Sequence, residues 1–356
     1  MKRYLSLAVA VGMLSFTGCS NIQDNANADE SSQIVQHQPA EKDATSEKDQ
    51  AKRLSGSELQ ELSVNELGEV MVLMYHSIGY PETTWTRTPE NFEMDLEELY
   101  SRGFRAISLT DYASGNIAVK AGFTPVVITF DDGNENNFKY IGGEDGNLVI
   151  DPACAVGIME NFKKKHPDFN ATATFFVNAN PFRNEAQAKD KISFLIQNNY
   201  DIGNHTFGHA DLSKTDSEET KKQLANIVKL VNSYAPEYEV STLALPFGGL
   251  PDEDNRAAVY SGTYEGVSYE NKCVLRVGWD PYKSPFHKQF DALNVHRVRA
   301  SETNVDNVGL YDWLKRYDEG KKTRFISDGD PSTIAIPEGF AEVLREDISD
   351  MEVITY

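Results

Sequence analysis

Short apolar runs alternate with amphipathic stretches from about residue 69 to about residue 300. Glu69 to Tyr75 (EVMVLMY), Arg105 to Ile107, Val126 to Phe130, Ala171 to Val177, Ser241 to Leu245, Val274 to Val277 and Asn294 to Val298 read as strands. Between them, Thr88-Pro89-Glu90 supplies a helix cap with proline at the first helical position, and Phe92, Leu96 and Leu99 follow at helical spacing. Thr110 reads as a second cap. Ala153 to Lys165 and Glu185 to Asn198 read as helices, and Asp216-Ser217-Glu218-Glu219 opens another whose Leu224, Ile227, Val228 and Val231 form one apolar face. A last helix is expected over Val305 to Tyr317. Alternating strands and helices predict an α/β fold with a parallel sheet wrapped by helices, with order beginning near Gly68 and no internal repeat.

The central run is Val126 to Gly133, VVITFDDG, which ends in two adjacent carboxylates and a glycine. A short β-branched run of this kind is a buried parallel strand, and open α/β folds carry their chemistry at the C-terminal ends of such strands. The following segment, Asn134 to Pro152, is rich in Gly, Asn and Asp and reads as an insertion over the site. Further on, His205 and His209 in Gly203-Asn204-His205-Thr206-Phe207-Gly208-His209 stand four apart, able to share one side of a turn.

The pattern is different at the N-terminus. Lys2 and Arg3 precede an apolar stretch from Tyr4 to Phe16, too short to span a bilayer and closed by Thr17-Gly18-Cys19. This resembles a bacterial lipoprotein signal in which Cys19 is the lipidated first residue, although Phe16 stands where leucine is usual. Residues 20–65 hold hardly any large apolar side chain and are expected to form a disordered polar tether. His37 lies in it. The expected organisation is a signal over 1–19, the tether over 20–65, a catalytic domain over 66–300 and a C-terminal extension over 301–356 packed on that domain.

The 356 residues include 55 acidic and 34 basic side chains, a net charge of -21, which argues against nucleic acid or an anionic membrane surface as the partner. Of the three cysteines, Cys154 and Cys273 remain beyond the signal, and an exported pair is chemically able to form a disulfide. Neither belongs to a Cys/His cluster. His-x3-His with a carboxylate suits zinc or another divalent ion with open positions for water and substrate. His166 and His287 have no partner at metal spacing and read as surface or loop residues.

Three motifs, Thr129 to Gly133 (TFDDG), His205 to His209 (HTFGH) and Leu245 to Gly248 (LPFG), resemble the polysaccharide deacetylases of carbohydrate esterase family 4, the NodB homology domain. Met71 to Ile78 (MVLMYHSI) is similar to the branch containing exported poly-N-acetylglucosamine deacetylases. The resemblance spans roughly residues 70–300 and implies a distorted or incomplete (β/α) barrel that binds one divalent metal, zinc first, with cobalt, nickel or iron as alternatives. It implies Asp132, His205 and His209 as metal ligands and Asp131 as the general base for water attacking an acetamide carbonyl. It also implies substrate contacts at Pro246 and Phe247, while Thr206 ties down the ligand loop.

The sequence departs from the family in three places. The arginine expected before Pro246 to pair with the base is replaced by Leu243-Ala244-Leu245, so the partner must come from elsewhere, with Arg297 and Arg299 as candidates. The fourth motif is only echoed by Gly278-Trp279-Asp280-Pro281, in which Trp279 either lines the acetyl pocket or belongs to the core. The catalytic acid is His76, preferred, or His296 of Leu293-Asn294-Val295-His296. The resemblance therefore implies an exported, lipid-anchored, monomeric hydrolase that removes N-acetyl groups from peptidoglycan or a poly-N-acetylglucosamine-like polymer at the cell surface. Its partners are the N-acetylated polysaccharide and, through the lipid alone, the membrane. An O-acetyl xylan esterase and a catalytically silent wall-glycan-binding lipoprotein are the competing readings.

Overall fold

The computed structural model describes residues 53–348 and 351–356. Cys19, His37, the signal segment and the tether as far as residue 52 lie outside the described residues.

The core element is β3, Thr124–Phe130, buried along its whole length. It pairs in parallel with β1, Met71–Tyr75, on one side; on the other it pairs first with β2, Phe104–Ala106, and then with β4, Thr174–Val177. The sheet continues through β5, Asp201–Asn204, and β6, Thr242–Ala244, to β7, Cys273–Leu275, and on its far side β1 pairs with β8, Val298–Arg299. A parallel bridge between Leu275 and Val295, just before β8, joins the two edges. The result is a curled parallel sheet, the incomplete (β/α) barrel expected from the sequence.

Strand alternation sorts the side chains. Leu73, Tyr75, Val126, Ile128, Phe130, Phe175, Ile202, Val274 and Val298 pack in the layer shared with the helices. Val72, Val127, Phe176, Ala244, Leu275 and Val295 form a separate cluster on the inner face. The outer helices are α2, Pro89–Ser101; α4, Ala155–Lys165; α5, Glu185–Gln197; and α6, Ser217–Tyr234, while the short α3, Leu109–Ser114, packs Leu109 and Tyr112 into the inner cluster. Thr88 caps α2 and Asp216 caps α6 by accepting backbone N–H bonds at the third helical position.

Several boundaries differ from the sequence reading. Ser108, not Thr110, caps α3, accepting from the Asp111 N–H at 2.9 Å. Structure begins before Gly68: Ser55 caps a helix over Gly56–Leu62 whose Leu59 packs with Val64 and Ala335, so the polar stretch read as tether to residue 65 gives way earlier. That helix presents too few apolar residues to register alone and depends on the distant C-terminal strands. A helix over Glu253–Tyr260 and an antiparallel hairpin of Ser261–Tyr264 with Val267–Glu270 follow β6. The expected strand over 294–298 is a 3-10 turn, Ala292–Asn294, leading into the shorter β8. The Asn134 to Pro152 insertion is a 3-10 turn and a hairpin, Tyr140–Gly142 with Leu148–Ile150, rather than an open loop.

The last helix, Leu310–Asp318, starts five residues later than predicted. Beyond it, the Phe325 N–H donates to the Glu69 carbonyl, and Asn65 and Ile326 exchange backbone bonds. Thr333–Ile336 and Glu352–Thr355 then form a small parallel pair. Cys154 and Cys273 are both free and buried. His166 packs on Tyr100 and Phe162, and His287 is buried rather than on the surface. No helix among the described residues is long and apolar enough to cross a membrane.

Candidate metal centre

Period-two alternation decides what enters the barrel mouth. Val127 and Thr129 face inward on β3, so Asp131, one step beyond the strand, faces inward too, and its N–H donates to the Tyr75 carbonyl. His76 follows β1 on the same inner register and His205 follows β5. Arg297, immediately before the outward Val298, also points inward. These side chains come from segments far apart in sequence and meet at the C-terminal ends of the strands.

Asp131 and Arg297 form a bidentate pair, with Nη1 to Oδ1 and Nη2 to Oδ2 both at 2.7 Å. Arg297 is fully buried and Asp131 nearly so. Nη1 also reaches Thr129 Oγ1, and Nε donates to the Arg276 carbonyl, which fixes the plane of the guanidinium. Burial works to raise the Asp131 carboxyl, but the Arg297 charge and its hydrogen bonds outweigh it and hold the group below the ordinary carboxylate range. Of the two arginines proposed to orient Asp131, Arg297 makes the contact. Arg299 instead lies over the ring of Trp85 at 4.7 Å and donates to the Asn304 carbonyl.

Asp132, His205 and His209 converge beside this pair. Asp132 Oδ1 is 3.4 Å from His205 Nε2 and 3.2 Å from His209 Nε2, and ligand atoms of the three residues lie within 4.8 Å of one another. His205 Nδ1 is 2.8 Å from the Ala244 carbonyl, so that nitrogen carries the proton. In the tautomer that this bond selects, His205 turns an Nε2 lone pair toward a carboxylate oxygen. Two acceptors facing each other need a cation between them, and one carboxylate with two imidazoles is a donor set that suits a divalent ion. The residues fit the metal.

The backbone around these ligands is strained. Asp132, Thr206, His209 and Phe247 are all non-glycine residues in the left-handed region, at φ 74°, 59°, 52° and 60°. The loop is held by Thr206, whose hydroxyl accepts from the Ala210 N–H and whose own N–H donates to Asn204 Oδ1. Gln223 of α6 accepts the Gly208 N–H at 2.7 Å.

His76 Nε2 lies 3.9 Å from Asp131 Oδ2. Burial lowers its pKa, and the nearby Asp131 and Asp132 only partly offset this. His296, the other candidate acid, turns to Asp280 at 3.0 Å and packs on Tyr282. Phe247 is 68% exposed with its ring 5.0 Å from that of His209, while Pro246 is buried. Trp279 is 62% exposed, which removes the core alternative for its side chain, and its carbonyl accepts from Trp313 Nε1 at 2.9 Å.

Sequence reading missed three contributors. Trp85 packs on His76 with ring centroids 4.7 Å apart; a lone tryptophan in the polar run PETTWTRTPE was its only signal. Asn137 donates to the His76 carbonyl. Asp95, wholly buried, accepts from Tyr75, Tyr311 and both Nε and Nη2 of Arg87, which pins the segment bearing His76 and Trp85 to α2.

Residues 118–265 match the family model for polysaccharide deacetylase. Among solved structures, the chain is similar to the polysaccharide deacetylase BC0361 from Bacillus cereus, with 19% identity and a TM-score of 0.51 over 70% of this chain and 69% of that one. It is also similar to the Streptococcus pyogenes deacetylase PplD, solved in complex with acetate, with 15% identity and a TM-score of 0.50 over 70% of this chain and 98% of that one. The Bacillus anthracis protein BA0330 aligns at 21% identity and a TM-score of 0.50 over 67% of each chain. At these identities the likeness is one of fold.

Proposed function

We propose that this chain is a metal-dependent hydrolase that removes N-acetyl groups from an amino-sugar polysaccharide of the cell surface. The observation that carries the reading is the meeting of an Asp/His/His donor set with a second carboxylate that is clamped by arginine and kept ionised. The family match over residues 118–265 supports the same chemistry.

Asp132, His205 and His209 would hold the divalent ion, zinc first. When bound, it supplies a Lewis acid for the acyl oxygen and lowers the pKa of water. The chain's own residues do the rest. Asp131, fixed in plane by Arg297, accepts the proton of the attacking water. His76 lies 3.9 Å from Asp131, and burial lowers its pKa, so that its imidazolium releases a proton more readily than an ordinary one. It is therefore suited to pass a proton to the departing amine, which an amide nitrogen needs in order to leave. Phe247 and Trp279 offer exposed rings to the sugar. His296, committed to Asp280, is the weaker candidate for the acid. Lipidation at Cys19 and export are proposed from the sequence alone.

The test is acetate release from N-acetylglucosamine oligomers, peptidoglycan and acetylated xylan, with and without chelator, for the wild type, Asp131→Asn, His76→Ala and His296→Ala. Metal-dependent release from an amide substrate, lost in Asp131→Asn and His76→Ala with metal still bound, is expected. No release from any of the three with zinc, cobalt or nickel added sinks the enzyme reading. Release from xylan alone replaces the amidase by an esterase.

A further inference from the structure

Arg299 shares the inner register of Arg297, two residues further toward the mouth, yet takes no part in holding Asp131. Its guanidinium lies over the ring of Trp85, and Trp85 in turn packs on His76, so the arginine stands one ring away from the reaction centre. Nη1 donates to the Asn304 carbonyl at 2.9 Å. Nε is buried without a partner, and among the described residues no carboxylate lies within ion-pairing distance. In a chain with 55 acidic residues against 34 basic, a cation placed by the fold and left without a counter-ion needs a reason.

A cavity of about 290 Å³ opens beside it, walled by Trp279, Arg299, Asn304, Val305 and Val308. Asp306 also lines it and is not paired with Arg299. The wall is built rather than loose. Trp313 of the last helix fixes the Trp279 backbone, and the loop turns through Asn304, Asp306 and Asn307 at φ 53°, 50° and 61°. An exposed indole, an apolar valine wall and a half-satisfied guanidinium together describe a site for a sugar ring bearing an acidic group. The indole covers the C–H face of a pyranose, and the planar fork of arginine matches a carboxylate.

We propose that this cavity is a subsite for the sugar next to the one that is deacetylated, and that Arg299 selects a carboxylate-bearing residue there. Resting on the deacetylase reading above, this narrows the substrate to a glycan in which N-acetylated amino sugars alternate with acidic ones. The free lactyl carboxylate of peptidoglycan strands stripped of their stem peptides and the uronic acid of a hexosamine–uronate polymer share that chemistry.

The test is calorimetric binding to the full chain of length-matched oligomers: neutral N-acetylglucosamine oligomers, lactyl-bearing peptidoglycan oligomers, and N-acetylhexosamine–glucuronate oligomers. A carboxylate-bearing oligomer is expected to bind about tenfold tighter than the neutral one, with Arg299→Gln bringing the two near parity. Whichever acidic oligomer keeps the preference identifies the source. A ligand-side control needs no mutation: converting the carboxylate to its amide should erase the preference in the wild type. Equal affinity for acidic, amidated and neutral oligomers overturns the proposal, as does Arg299→Gln weakening all of them alike. Because binding is read without turnover, an inactive protein that still prefers acidic oligomers refutes the deacetylase reading and leaves the subsite standing.

Discussion

Replacing Arg297 by alanine would leave Asp131, buried to 2% exposure, without its principal opposing charge. Two 2.7 Å charge-assisted bonds disappear, and the burial that already works to raise the Asp131 carboxyl loses its main opponent. Removing one partner of a buried pair typically costs roughly 3–5 kcal/mol, and water entering the space left by the guanidinium moves the value toward the lower end. The stability loss has an internal control. Adding Asp131→Asn removes the stranded charge, so the double variant should be more stable than Arg297→Ala alone by about 1–3 kcal/mol. In turnover, an Asp131 that is protonated or rotated no longer accepts a proton, so kcat should fall about 10²- to 10⁴-fold with bound metal unchanged. Arg297→Lys keeps the charge but loses the fork and should recover stability better than rate. Urea denaturation, metal content and initial rates of acetate release measure the three quantities. If Arg297→Ala melts with wild-type stability, or the double variant is no more stable than the single, the pair is not the constraint argued for here.

Two further outcomes follow from the packing. Glu66 is buried, and desolvation, with the neighbouring Asp328 charge adding to it, pushes its carboxyl from 4.5 up to about 8. The folded state therefore holds this proton more tightly than the unfolded one. The resulting stability is complete below about pH 4.5 and is lost as pH rises toward 8, with a slope of up to about 1.4 kcal/mol per pH unit. Glu66→Gln should flatten that slope in urea titrations, and an unchanged slope would assign it to other groups. Separately, a Cβ on Gly278 would sit 2.7 Å and 2.8 Å from the Arg297 backbone N and O. Gly278→Ala should then cost about 1–3 kcal/mol by overpacking and lower kcat by moving Arg297; full activity in the variant would count against that coupling.

Much of the site was readable before the fold. VVITFDDG and HTFGH announce themselves because strand burial and ligand spacing are local properties of the chain. What was not readable depends on parallel register between distant segments. Arg297 and Arg299 share one strand face, so alternation could not separate them. What separates them is depth: Val298 pairs with Leu73 and Arg299 with Met74, and only the lower arginine extends up beneath Asp131. The sequence preferred His76 to His296 without separating them, and in the fold Asp280 engages His296. The helix over Gly56–Leu62 stayed hidden because its burial partner, Ala335, is supplied by the far end of the chain.

The clamp on Asp131 also sets an order of assembly. Its two halves are 166 residues apart in sequence, and until the second arrives the first is a charge that cannot be buried without penalty. A nascent chain that ends before Arg297 must therefore keep the mouth of its barrel wet, with β3 unable to settle against a finished interior. Completion of the innermost layer waits for nearly the whole polypeptide. Pulse proteolysis on nested C-terminal truncations should register this as a step in protection of the β3 region between chains ending just before Arg297 and chains ending just after β8.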